Sequence, residues 1–226
     1  MNPAYPVTIG EEATIDLLLQ GRSIARYGDG EFRLMVGTDR AGQPHYPDLA
    51  KRLREILRDS GDCLVGIPNL RTKTPKAEFW RRFSGEWVTR HLTARPYCSS
   101  FITRPDSAPW INNPRYWAKC RQLWADKDVT VVRGGNKSLR AAIMPEARSV
   151  REIIGPRINA WASRDALMEA IGTPGHPVIL CLGITATVMA ADLCAKGVQA
   201  WDLGHMGMFL RRVGPDGIWH QKDAAP

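Results

Sequence analysis

Two acidic residues one position apart, Asp29 and Glu31, stand in the run Gly28-Asp29-Gly30-Glu31, directly after Ser23-Ile24-Ala25-Arg26-Tyr27. The flanking glycines permit unusual backbone dihedrals, so both carboxylates can be aimed at one divalent cation. Hard oxygen ligands suit Mg2+ or Mn2+, and such an ion against a diphosphate would neutralise charge developing on a leaving group. The same spacing also has a plainer use. Asp29 can cap a following helix while Glu31 sits in its first turn and favours the helix dipole. An Asp-x-Glu by itself leaves both uses open.

Three further runs combine small and polar residues. Arg133-Gly134-Gly135-Asn136-Lys137-Ser138 has two glycines where a ligand can approach the backbone, with Lys137 and Ser138 able to meet phosphate oxygens. It lacks the Gly-x-x-x-x-Gly-Lys spacing of an ATP-hydrolysing loop, and a surface turn accounts for it equally well. Gly183-Ile184-Thr185-Ala186-Thr187 can start a second phosphate-facing helix or serve ordinary capping and packing. Asp202-Leu203-Gly204-His205 ends in an imidazole able to bind phosphate, act as a base or cap a loop. The five cysteines are widely spaced, with no Cys-x-x-Cys and no nearby His pair, which supports neither a disulfide framework nor a zinc site. Cys181 and Cys194 read as small core residues.

These runs need a scaffold, and the chain supplies alternating elements. Apolar Thr14 to Gln20 reads as a helix and Ser23 to Tyr27 as a strand. Pro47 to Arg58 is a helix with Leu49, Leu53, Ile56 and Leu57 on one face. Cys63 to Ile67 is a buried strand, followed by a long helix from Lys76 to Leu92 whose stripe of Phe79, Trp80, Phe83 and Trp87 is expected in the core. Tyr97 to Thr103 reads as extended, Pro114 to Trp124 as helical and Asp128 to Val132 as a strand. A less regular stretch covers Met144 to Ile154. Then come a helix from Arg164 to Ile171, a strand from Pro177 to Leu182, a helix from Thr185 to Lys196 ended by Gly197, and a strand from Val198 to Asp202. This alternation predicts an α/β fold, a Rossmann-like, mainly parallel sheet with helices on both faces. One domain is expected over residues 1–226, with a core of about 10–213 and a peripheral tail. Ligands of open parallel sheets bind beyond the carboxyl ends of the strands, and all four polar runs are strand exits, so they are expected to converge on one crevice.

Composition narrows the partners. A formal charge of +8 and a pI near 9.5 favour an anionic ligand or surface. Basic residues are scattered, clusters such as Lys51-Arg52-Leu53-Arg54 suit a solvated helix face, and the aromatics form no RNA-binding signature, so nucleic acid is not expected. The longest apolar stretch, Val178 to Ala191, is interrupted by Gly183, Thr185 and Thr187 and falls short of the roughly 20 residues of a membrane span. Residues 1–12 carry acids and no basic stretch leading into an apolar segment, which makes the cytoplasm the expected compartment.

Ser23-Ile24-Ala25-Arg26-Tyr27-Gly28-Asp29-Gly30-Glu31-Phe32 resembles the opening motif of the GT-D fold glycosyltransferases, a family long carried as a domain of unknown function. The resemblance continues through Phe101-Ile102-Thr103-Arg104-Pro105, Val131-Val132-Arg133-Gly134, Ser149 to Ile154 and Leu182 to Thr187, and ends at Lys196 to His205, in order along most of the chain. It implies a Rossmann-like fold in which Asp29 and Glu31 bind Mn2+ or Mg2+ while a hexose passes from a nucleotide sugar, commonly a UDP-hexose, to a glycan. That acceptor can be membrane-linked, which would place the protein at the inner membrane face. With the strand exits gathered around that metal site, His205 is expected to join Asp29 and Glu31 as catalytic, Asp202 to border the reacting sugar, and Arg26, Gly28, Arg133, Gly134, Lys137, Ser138, Gly183 and Thr185 to line the donor. The chain departs from the family pattern where Val-Glu-Gly and a following Ser-Arg become Val132-Arg133-Gly134 and Ser138-Leu139, and where Met206 to Arg212 replace an acidic, aromatic tail. Two other uses of the same residues are metal-assisted phosphoester hydrolysis and non-catalytic binding of a nucleotide or glycan.

Overall fold

Seven short strands line up side by side in the computed structural model, which describes residues 5–70, 75–83 and 88–220. They are β1 (Ile24–Arg26), β2 (Leu64–Ile67), β3 (Cys98–Ser99), β4 (Asp128–Arg133), β5 (Ser149–Ile154), β6 (Val178–Cys181) and β7 (Ala200–Asp202). All pair in parallel, in the order β3-β2-β1-β7-β6-β4-β5. Every residue of β1, β6 and β7 is buried. Successive strand side chains point to opposite faces, so burial throughout means that both faces of the sheet are covered. β1 and β7 lie side by side at the centre. The chain moves outward from β1 through β2 to β3 on one side and fills the other side with the remaining strands, which makes this junction the switch point of the sheet.

The helices are α1 (Glu11–Leu19), α2 (Asp29–Met35), α3 (Pro47–Arg58), α4 (Pro75–Phe83), α5 (Pro114–Arg121), α6 (Arg164–Ile171), α7 (Ile184–Ala195) and α8 (Met206–Leu210). α3 starts where Pro47 takes the first helical position after extended Tyr46, and it buries Leu49, Ala50, Leu53, Ile56 and Leu57 on one stripe. α7 is apolar nearly all round because it is enclosed by β1, β7 and β6 on one side and by α3 and α6 on the other. Its two threonines, Thr185 and Thr187, are fully buried, which makes them conspicuous in such a helix. Arg52 of α3 and Arg164 of α6 both reach Asp192 of α7, at 2.7 and 2.5 Å, and tie the three helices together.

Several expectations are corrected by these elements. Gly28-Asp29-Gly30-Glu31 is a helix start rather than a loop: only Tyr27 and Gly28 separate β1 from α2. Of the helix expected over residues 76–92, the part up to Phe83 is helical, residues 84–87 lie outside the described residues, and Thr89–His91 are a 3-10 turn. Trp80 and Phe83 are buried, but Phe79 is 48% exposed, and Trp87 lies outside the described residues. Tyr97 to Thr103 contributes only the two residues of β3 to the sheet. β5 falls inside the stretch read as irregular. It is the edge strand, and its alternating exposure gives Ser149–Ile154 no buried run to detect. Beyond Gly214 the chain folds back: Val213 bridges to Trp219, whose ring packs on Phe209 at 5.3 Å. Cys194 is half-buried rather than part of the core.

Candidate active site

Four oxygen groups meet where β1 and β7 end. Gly28 is the extended residue preceding α2, and Glu31 is the third residue of that helix. The Gly28 N–H donates to Glu31 Oε2 at 2.7 Å, so Glu31 performs the capping role that its spacing allows. Its other oxygen, Oε1, turns inward to the Thr187 hydroxyl at 3.4 Å. The same hydroxyl lies 3.3 Å from Asp202 Oδ2 and 2.9 Å from the Arg26 carbonyl oxygen. A threonine has one hydroxyl hydrogen and cannot satisfy three acceptors at once. Two buried carboxylates and a carbonyl thus converge on a group that can serve one of them; Asp202 also faces the Arg26 guanidinium at 3.4 Å, which leaves Glu31 as the acid that calls for a proton or a cation.

The acids respond to that shortage. Burial, reinforced by Asp202 and Asp29 and opposed by the Gly28 N–H, pushes the Glu31 carboxyl up to about 7. Burial also pushes the Asp202 carboxyl upward, against the pull of Arg26 and Thr187. Asp29, the first residue of α2, is more open, with its side chain 27% exposed, and it faces Arg40 at 3.2 Å and Arg33 at 3.9 Å. Hard oxygens in this arrangement fit a divalent cation. Among the described residues no three His, Cys, Asp or Glu side chains gather into a metal cage. A cation here would therefore draw its remaining ligands from water and a ligand's phosphates, as Mg2+ ordinarily does.

Arg26 holds the floor of the site. Its guanidinium is 9% exposed. Nε donates to the Asp202 carbonyl oxygen at 2.5 Å, Nη1 to the Ser100 carbonyl oxygen at 2.9 Å and to Thr103 Oγ1 at 2.7 Å, and Nη2 faces Asp202 Oδ1 at 3.4 Å. One side chain thereby joins the exits of β1, β7 and β3. Gly204, at φ +49°, lies against it, and a Cβ there would come 2.5 Å from Nη2.

The other expected donor residues are placed as follows. Ser138 Oγ donates to the Cys181 carbonyl oxygen at 3.2 Å, Thr185 Oγ1 lies 3.3 Å from Gln43 Oε1, and Arg133 Nε pairs with Glu152 of β5 at 2.6 Å. A Cβ on Gly134 would lie 2.5 Å from the Pro156 carbonyl oxygen, so that glycine packs the loop against its neighbour. Gly183 precedes α7 with φ +61°. Lys137 is exposed, and its charge acts on His205. α8 presses on this loop: Arg211 donates to the Asn136 carbonyl oxygen, and a Cβ on Gly207 would collide with the Ser138 carbonyl. Gly207→Ala is therefore expected to cost about 1–3 kcal/mol, read as a lower urea midpoint at unchanged slope.

His205 stands at the rim. Desolvation by the surrounding loops and then the cations Lys137, Arg104 and Arg26 push its pKa down to about 4. Its surface is exposed, so the repulsion from those cations is the more durable part of the shift. The imidazole is expected to be neutral throughout pH 5.5–8 and to titrate below that range. A ring-proton NMR titration with its midpoint near the ordinary 6.5 would contradict this.

The residues that a reading by spacing passes over are Thr103 and Arg40, whereas Thr187 stands in the Gly183 to Thr187 run and is placed here by its hydroxyl. Thr187 has a visible signal, a hydroxyl in an otherwise apolar helix. Arg40 has none, because its approach to Asp29 depends on the turn after α2. The surface cavity of about 450 Å³ bounded by Arg164, Met168, Gly172 and Lys196 is at the far end of α7 and takes no part in this site. Among the described residues no helix is long and apolar enough to cross a membrane.

Known proteins share this fold. The glycosyltransferase GT-D fold family matches residues 24–211. A probable glycosyl transferase Gly of Streptococcus gordonii is 31% identical over 214 residues, and glycosyltransferase GlyD of Streptococcus pneumoniae serotype 4 is 27% identical over 214. Those alignments take in 86% and 87% of this chain but 31% and 26% of the two relatives, so the chain spans about a third or less of their length. A solved structure described as a new glycosyltransferase (DUF1792) from Streptococcus sanguinis superposes with a TM-score of 0.79 at 30% identity, covering 90% of this chain and 82% of that one. Another, of the domain of unknown function 1792 with its distinct glycosyltransferase fold, superposes at 0.78, also at 30% identity, over 89% and 79%. From Ile24 at the start of β1 to Arg211 beyond α8, this chain belongs to the GT-D fold glycosyltransferase family.

Proposed function

We propose that the chain transfers a hexose from a nucleotide-sugar donor, a UDP-hexose, to a glycan acceptor, with Mn2+ or Mg2+ held by Asp29 and Glu31. The observation that carries this reading is the convergence of Glu31 and Asp202 on the single hydroxyl of Thr187 at the switch point of the sheet, with Asp29 beside them at its mouth. Asp202 is answered by Arg26, whereas Glu31 is buried with no ion pair to it among the described residues, and this acid is the demand for positive charge. Bound there, the cation would supply charge neutralisation for a leaving diphosphate.

The chain's own residues then have distinct tasks. Arg26 keeps Asp202 fixed and ionisable at the edge of the site. Exposed Lys137 makes its outer wall positive, which suits a diphosphate, while Arg104 is paired with Asp106 at 2.8 Å; desolvation, and then these cations, keep His205 neutral and able to accept a proton from an acceptor hydroxyl. Arg133 is held by Glu152 and contributes to the loop's shape, which leaves the phosphate-facing charge of that run to Lys137. The charge of +8 suits a cytoplasmic enzyme working at an anionic inner membrane face, where a lipid-linked acceptor would lie.

The test is a thermal-shift screen of nucleoside diphosphate sugars with and without Mn2+, followed by product analysis. A UDP-hexose is expected to raise the melting temperature only with metal, and nucleotide release should require an acceptor. The Asp29→Ala, Glu31→Ala variant should remain folded and lose transfer. Undiminished transfer by that variant would sink the proposal, and phosphate release without any acceptor would point to phosphoester hydrolysis instead.

A further inference from the structure

The carboxyl edge of the sheet carries more than the candidate active site. β4 and β5 end there side by side, Arg133 opposite Ile154, and the loops that leave them touch: a Cβ on Gly135 would come 3.6 Å from Arg157 Cγ. α8 leans on the first of these loops. The Met208 N–H donates to the Lys137 carbonyl oxygen at 3.0 Å, and Arg211 donates to the carbonyl oxygens of Asn136 and Ser138. Backbone contacts thus gather Lys137, Arg140, Arg157, Arg211 and Arg212 at one end of the molecule, all but the half-buried Arg212 exposed. None of the five forms an ion pair among the described residues. The acids of these elements are engaged elsewhere, Glu152 by Arg133 and the Ala141 N–H, Asp216 by His220 and the Ile218 N–H. The crowding is felt at Arg211, whose guanidinium is held below its ordinary value by burial and then by the charges of Arg140 and Arg212. Ile154 and Ile158 frame Arg157 and stand 63% and 65% exposed, more than any other large apolar side chain among the described residues except Val7. A Cβ on Gly42 would lie 3.8 Å from Ile158, so this surface runs on to the turn that carries Arg40 to Asp29.

We propose that this end of the molecule docks on a bilayer containing anionic phospholipid, with Ile154 and Ile158 entering the headgroup layer and the five cations set against lipid phosphates. Cations without acidic partners keep their charge for an outside anion, and each contributes to attraction by an anionic leaflet. The isoleucines narrow the choice of partner. They have no flat face on which bases could stack, which argues against a nucleic acid. A second copy of the chain would set the five charges against one another. A lipid surface meets both demands, with phosphates for the cations and acyl chains for the apolar side chains. The surface flanks the mouth of the site, reaching Arg40 beside Asp29 on one side and α8, which begins directly after His205, on the other. A lipid-linked acceptor would therefore arrive where transfer takes place. That purpose rests on the proposed transfer, whereas docking itself needs neither donor nor metal.

Cosedimentation of the full chain with vesicles, without nucleotide sugar or metal, tests this. Binding is expected with an equimolar mixture of phosphatidylglycerol and phosphatidylcholine and not with phosphatidylcholine alone. It should fade by about 1 M salt, where the screening length is about 3 Å. Arg140→Gln, Arg157→Gln and Arg212→Gln together should weaken binding by about 100-fold, at about fivefold for each cation near an anionic surface. Ile154→Thr with Ile158→Thr should weaken it by about tenfold at unchanged net charge. Arg58→Gln, Arg148→Gln and Lys196→Gln, which remove the same charge from exposed positions at the amino ends of the strands, should leave binding near that of the wild type. Equal losses in the two triple variants would reduce the effect to net charge and overturn the proposal. So would binding unmoved by the isoleucine changes, or a wild type that ignores these vesicles while holding a single-stranded oligonucleotide. The lipid and salt dependence of the wild type decides the point even if a variant fails to fold. Docking without sugar transfer would leave this surface standing and sink the transfer reading, and transfer without docking would do the reverse.

Discussion

Glu31→Gln is expected to abolish transfer while making the metal-free protein more stable at alkaline pH. The two effects have one origin. The Glu31 carboxyl, at about 7 in the folded chain against an ordinary 4.5, binds its proton more tightly folded than unfolded. A group raised in this way contributes its stability fully below the unfolded value, near pH 4.5, and loses it as pH climbs through about 7. That interval corresponds to about 3 kcal/mol, an upper value for a buried group whose neighbours Asp202 and Asp29 titrate with it. Glutamine keeps the acceptor for the Gly28 N–H and can donate to Thr187, so it retains the cap and removes the charge. In EDTA, urea unfolding of the wild type should weaken from pH 5 to pH 8 by about 1–3 kcal/mol more than that of the variant. Transfer in Mn2+ should fall by about 100-fold or more, as when a group stabilising the developing charge is lost. Parallel pH slopes for the two proteins would show that Glu31 is not the strained acid. A variant with full transfer would show that it does not hold the metal.

The position of this acid is legible in the sequence, but its partner is not. The glycines on either side of Asp29 suggest a flexible loop with two carboxylates aimed at one point. The chain instead begins α2 at Asp29, which turns Glu31 towards β7 and leaves Asp29 facing Arg40. By spacing alone, capping and ligand holding are alternatives. The two oxygens of Glu31 divide them, Oε2 for the cap and Oε1 for the site. Strand-helix alternation, the boundaries of α3 and the apolar runs of β4 and β6 follow from local pattern, because each buries a continuous stripe or run. β5 escapes such a reading because an edge strand buries only part of each side. Arg133 escapes because its partner Glu152 is supplied by the β4–β5 register, in which Val131 lies opposite Glu152. The aromatic stripe of α4 is only partly core, since Phe79 at 48% exposure packs on Trp80 and Phe83 from the surface.

Arg26→Met is expected to be the most destabilising single substitution at the site. In a strand whose other residues are fully buried, Arg26 brings a charge into the sheet, and the surroundings answer it with the Asp202 carboxylate, two backbone carbonyl oxygens and Thr103. Methionine matches the length of the stem but donates nothing. The loss leaves a buried carboxylate without its counter-charge and two carbonyls without donors, a change that ordinarily costs about 3–5 kcal/mol. For a chain of 226 residues this is a fall in melting temperature of about 10 °C. Much of the penalty belongs to the stranded charge on Asp202. The carboxyl, already raised by burial and now lacking Arg26, should hold its proton to still higher pH. A raised acid is tolerated at low pH and becomes costly as pH rises, so the damage from Arg26→Met should be smaller at pH 5 than at pH 8. Adding Asp202→Asn to the variant removes the charge and should return part of the loss, a coupling that distant and independent sites do not show. Urea unfolding of the four proteins of this cycle at both pH values measures it. If the two single changes simply add, the ion pair is not what holds the exits of β1 and β7 together, and the guanidinium's bonds to the Ser100 carbonyl and Thr103 must carry the fold there instead.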